Sequence, residues 1–116
     1  MQNEVKVVKV ADNPATDVPG HTLCIAKEVA GTMLGISAYS LKYGELGKGG
    51  TAIVHAHEEA EHVFYILNGV LTIIVDGKEY SAKDGEALFV PKKVPHAARN
   101  DFDGTTTYIA LTIPPT

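Results

Sequence analysis

Apolar and polar positions alternate with a period of two through most of this chain, and turn dipeptides interrupt the alternation at short intervals. Asn68-Gly69 separates Val63–Leu67 from Val70–Val75, and Asp76-Gly77 separates that run from Lys78–Ser81. Both dipeptides supply the positive φ angles of a two-residue hairpin, so three consecutive antiparallel strands are predicted. Asp84-Gly85 precedes Ala87–Val90, and Asp103-Gly104 precedes Thr105–Ile113, a segment dense in β-branched residues. Upstream, Val5–Val10, Thr22–Glu28 and Thr32–Lys42 read as strands, with a loop over 13–20 and a glycine-rich loop over 44–50. The total is roughly nine or ten short strands and no helical period, the spacing of an all-β sandwich or barrel.

The length of 116 residues, with 45% hydrophobic content, suits one domain over 1–116 with one core. A net charge of −4 without a lysine- or arginine-rich stretch argues against nucleic acid as a partner. No apolar run approaches the ~20 residues that span a bilayer, so no membrane partner is expected. The N-terminus lacks the apolar stretch of a signal peptide, and Cys24 is the single cysteine. A cytoplasmic location and a core role for Cys24 follow as expectations.

Four of the five histidines fall in two clusters: His55, His57 and His62 in one, and His96, beside Pro91 and Pro95, in the other. Residues two apart in a strand point to the same face about 6.6 Å apart, so His55 and His57 can converge on one ion. A histidine pair in one strand is, by itself, more often packing than ligation; the second cluster is what shifts the reading toward metal. Several imidazoles from a rigid barrel leave coordination positions open, as catalytic metals require. His21 stands outside both clusters and is expected on a surface loop, and Arg99 is expected to point away from the metal.

The spacing of these residues resembles the cupins. Gly49, His55, His57 and Gly69 match that family's first motif, over 49–69, and Gly85, Pro91, His96 and Asn100 match its second, over 85–100. The resemblance implies a jelly-roll barrel, the double-stranded β-helix of cupins. It also implies one divalent transition metal, Fe, Mn, Ni, Cu or Zn, which the sequence does not choose among.

Two departures from the motifs carry information. Lys93 replaces a glycine, implying either a turn that does not need positive φ or one that tolerates strain. The family's glutamate falls on Glu61 counting forward from His57, but on His62 counting back from Gly69. The strand side anchors the count, which assigns His55, His57, His62 and His96 as ligands. Glu61 is then a loop carboxylate, or one behind the ligands, and the candidate proton carrier. Four neutral imidazoles would leave the ion at +2, favouring anionic or enolate oxygen ligands.

Strand parity places His62, Phe64 and Ile66 inward. Phe64, Ile66, Tyr39, Tyr43, Tyr108 and Asn100 are the candidate pocket residues. By resemblance, the expected function is a metal-dependent enzyme of dioxygenase type acting on a small oxygen-rich, enolisable or chelating substrate. A non-redox lyase or isomerase, or a non-catalytic ligand- or metal-binding module, is the alternative. Single-domain cupins commonly pair by sheet extension, so a homodimer is expected.

Overall fold

A computed structural model describes residues 4–55 and 59–115; the side chains of residues 53–55 are not described. Among the described residues ten strands form two antiparallel sheets. β1 (Thr16–Asp17), β2 (Cys24–Ala30), β3 (Ser40–Leu46), β10 (Thr106–Ile113), β5 (Glu61–Asn68) and β8 (Ala87–Val90) are neighbours, in that order, in the larger sheet. β4 (Thr51–His55), β9 (His96–Arg99), β6 (Val70–Val75) and β7 (Lys78–Lys83) make the smaller. The all-β reading holds, and the architecture is the expected jelly roll. Leu46, Ile66, Leu71, Ile73, Val90 and Tyr108 form the core between the sheets.

Alternation sets the faces. In β5, His62 and Ile66 are buried and Tyr65 and Leu67 are exposed, because successive side chains leave a strand on opposite sides. The hairpin at Asp76-Gly77 forms as predicted: both residues have positive φ, and Val75 pairs with Lys78. Asn68-Gly69 is a correction. β5 pairs with β10 and β8 and β6 with β7 and β9, so this turn carries the chain from one sheet to the other. Gly69 is required there for a second reason besides its φ of 104°, since a Cβ would lie 2.6 Å from Thr106 Oγ1.

Other predicted elements also change. Val5–Val10 forms no strand, and Val5 and Val7 are almost fully exposed; alternation alone gave them no partner strand. Thr32–Leu34 is a 3₁₀ turn, so the strand predicted from Thr32 begins only at Ser40. β3 then runs through Gly44, and the glycine-rich loop begins only after Leu46. Lys93 adopts a φ of 65°, so the motif's turn keeps its left-handed geometry without glycine.

Asn100 ties the barrel end together. Buried at 4% exposure, its Nδ2 donates to the carbonyls of Leu46, Gly47 and Gly104. Its Oδ1 accepts from the Phe102 amide and the Thr106 hydroxyl. On the outer face Arg99 pairs with Glu79 and Asp101, as its parity implied, and the hydrogen bond from Arg99 holds the Asp101 carboxyl below its ordinary range. No helix among the described residues is long and apolar enough to cross a membrane.

Candidate functional site

His62 enters from β5 of the larger sheet and His96 opens β9 of the smaller. Their ring centroids lie 5.6 Å apart with planes inclined by 62°, and both residues are buried. His96 Nδ1 stands 3.0 Å from the Val94 carbonyl. A carbonyl can only accept, so Nδ1 carries a proton. His62 Nδ1 is 3.1 Å from Thr112 Oγ1, a partner that fixes the ring's rotation. Anchoring one ring nitrogen is how proteins orient imidazole ligands for an ion at the other.

The two rings suit a shared ion. Metal–nitrogen bonds of about 2.1 Å put each ring centre about 3.2 Å from a metal, so a ligand pair has centroids about 5–6 Å apart. His55 pairs with His96 across the β4–β9 ladder. The side chain of His55 and all of His57 lie outside the described residues. Among the described residues no three metal-donor side chains converge, and the His62–His96 pair is the part of the four-histidine set they contain.

Both rings line a cavity of about 190 Å³ between the sheets. Phe64 stacks on His62 at 5.9 Å and meets Tyr108 edge-on at 5.9 Å. Tyr108 lies over Gly44, and its hydroxyl reaches Cys24 Sγ at 3.4 Å. Burial pushes the Tyr108 phenol far above its ordinary range, and the neighbouring Cys24 adds to this. The Cys24 thiol is also raised by burial, partly offset by its hydrogen bond to Tyr108. Cys24 is therefore a protonated core residue, as expected.

The remaining candidates separate clearly. Phe64 and Tyr108 line the cavity, but Tyr39 and Tyr43 do not. Lys42, Gly44 and Leu46 hold the inward positions of β3, which turns Tyr43 to the outer face, where its hydroxyl bonds Glu45 at 3.0 Å. Burial and Glu45 raise the Tyr43 phenol. Ile66 is wholly buried core and Asn100 a structural hub, so neither is a cavity wall. Glu61 is not in a loop: it opens β5, pairs with Ile113, and by alternation faces away from the cavity that His62 lines.

Several cavity residues escaped the sequence reading. His21, expected on a surface loop, bridges to Ala52 of β4 and lines the cavity with Asp17 and Pro19. No motif marks that segment; the local β1–β2 pairing and the distant bridge from His21 to Ala52 fold it across the mouth. Lys42 and Thr112 follow from parity once the β3–β10–β5 register is known.

A family profile described as Cupin domain matches residues 42–113. The chain belongs to the cupin family. This cupin is 27% identical over 67 residues to an uncharacterized protein of Methanocaldococcus jannaschii, covering 58% of this chain and 54% of that one. It is 37% identical over 54 residues to quercetin 2,3-dioxygenase of Bacillus subtilis, covering 47% of this chain and 16% of the enzyme. The matches thus span about half of one curated relative and a small part of the other. In structure, the cupin superposes on the polyketide cyclase RemF from Streptomyces resistomycificus with a TM-score of 0.83, at 24% identity over 95% of this chain and 80% of that one. Cupins similar to this one therefore include enzymes.

Proposed function

We propose that this cupin is a metal-dependent enzyme of dioxygenase type whose substrate is a small, enolisable or chelating oxygen-rich molecule. His55, His57, His62 and His96 would hold one divalent transition metal. The observation that carries the reading is the His62–His96 pair: two buried imidazoles from opposite sheets, 5.6 Å apart in one cavity, each anchored through Nδ1. When bound, the ion would supply Lewis acidity toward a carbonyl or enolate oxygen, and redox chemistry if it is iron, copper, nickel or manganese.

The chain's own residues do the rest. Thr112 and the Val94 carbonyl hold the two rings in place. Phe64, Leu71, Ile73 and Tyr108 surround the pair with apolar surface that limits water, which strengthens every polar interaction inside. Tyr108 stays protonated and donates or accepts only as a neutral hydroxyl. Asp17 and His21 at the mouth, and not Glu61, are the groups placed to exchange protons with solvent. The similarity to quercetin 2,3-dioxygenase supports a dioxygenase, and quercetin is a first probe.

Elemental analysis of protein purified without added metal tests the centre. About one transition metal per chain is expected, lost in His62→Ala and retained in Glu61→Ala. Metal-free protein, or loss only in the Glu61 variant, overturns the ligand set. Oxygen uptake with quercetin tests the reaction. A zinc-loaded protein that consumes no oxygen would instead point to lyase, isomerase or binding activity. A homodimer through sheet extension is part of the proposal; a monomeric mass by light scattering at micromolar concentration contradicts it.

A further inference from the structure

Lys42 breaks the pattern of its strand. β3 lies between β2 and β10, and its inward positions are otherwise Gly44 and the buried Leu46. Lys42 itself is exposed: here this face of β3 leaves the core and borders the open side of the cavity. The β-ladders put Lys42 level with Ala110 and then with Phe64, about 10 Å across two strand spacings. His62 is one same-face step further along β5, about 6.6 Å on. Lys42 and the two histidines thus line the same cavity from separate places.

The acids near Lys42 are otherwise engaged or too distant. Glu28 is directly opposite on β2, but its Oε2 accepts from the Met33 amide at 2.9 Å and its Oε1 from the Thr32 hydroxyl at 3.4 Å. Asp17 is level with Glu45, three residues along β3 from Lys42. No ion pair to Lys42 is found among the described residues. Between Lys42 and His62 the same sheet presents Ala110 and Phe64, with the Tyr108 ring lying over Gly44 alongside. Phe64 and Tyr108 give this wall aromatic surface on which a flat ring can pack.

Resting on the reading of this cavity as the substrate site, we propose that Lys42 is its anion-recognition residue. The substrate class is a small ring-bearing carboxylate, with its charged end at Lys42 and its other end toward His62 and His96. Lys42 positions and selects the substrate; it has no part in the chemistry.

The test uses full-length, chelator-treated protein, so that no metal competes for the carboxylate, titrated by calorimetry with 2-naphthoate and its neutral isostere 2-naphthamide. Wild type is expected to bind naphthoate about fivefold more tightly, the scale of one solvent-accessible ion pair. Lys42→Gln should abolish that preference while leaving naphthamide binding unchanged. Lys48→Gln, at an exposed lysine paired with Asp103, should keep it. Equal affinity for the two probes, a preference that survives Lys42→Gln, or binding of neither probe overturns the proposal. Because the readout needs no metal, a failed metal analysis with an intact Lys42 preference would sink the centre alone, and the reverse result would sink only the anion subsite.

Discussion

Tyr108 lies so close over Gly44 that a Cβ at position 44 would stand 2.4 Å from Tyr108 Cζ. Glycine in the middle of β3 is therefore what lets a large ring form the cavity floor while remaining inside the barrel. Gly44→Ala should destabilise the fold by about 1–3 kcal/mol through overpacking. Urea denaturation would measure the loss, and Gly44→Ala with Tyr108→Leu should recover most of it, since the smaller side chain removes the clash. Additive losses in the double variant would contradict this account.

Asn100 is expected to matter for stability and not for ligand binding. Asn100→Ala removes its bonds to the Leu46, Gly47 and Gly104 carbonyls, the Phe102 amide and the Thr106 hydroxyl at a buried corner, where Gly47 keeps a bond from the Gly50 amide and Thr106 one to the Val70 carbonyl. A cost of about 3 kcal/mol is expected, at the upper end of what unsatisfied buried groups give. The urea midpoint would report it, and affinity for cavity ligands in the folded protein should be unchanged.

Alkaline pH should weaken the fold. Burial raises both the Cys24 thiol and the Tyr108 phenol, so each releases its proton more readily in the unfolded chain. Their contribution is fully present below the ordinary thiol and phenol values of about 8.5 and 10 and is lost as pH rises beyond them, because the native state then holds more protons. Urea midpoints between pH 7.5 and 10.5 should fall, and Tyr108→Phe should make the upper part of that fall shallower. An identical slope in the variant would show that the phenol plays no part.

Thr112→Val keeps the volume but removes the oxygen that orients His62. If His62 binds metal as proposed, affinity should drop by about 10- to 100-fold, the usual effect of losing such a partner. Competition against a chromophoric chelator measures this directly. Unchanged affinity would remove His62, or this orientation of it, from the ligand set.

The β character, the motif spacing and the inward parity of His62 and Phe64 were legible because they depend on neighbours in sequence. What failed depended on pairing at long range. Asn68-Gly69 has the chemistry of a hairpin turn, yet only the ladders of β10 and β9 reveal that its flanking strands belong to different sheets. Tyr43 and Lys42 could not be sorted into wall and surface until the β3–β10 register fixed which of them faces inward. His21 had no motif at all, and reaches the cavity through its bridge to Ala52. For Lys93 the sequence left two turn geometries open, and its φ of 65° selects the strained one.

The position of β10 between β3 and β5 orders the events of assembly. On the ribosome β3 and β5 are made long before the strand that joins them, and until Thr106–Ile113 emerges both present unsatisfied edges to solvent. Closure of the larger sheet, and with it the shelter around His62 and Tyr108, must await synthesis of β10. Nascent chains that stall before this point are consequently the form of the protein most exposed to self-association.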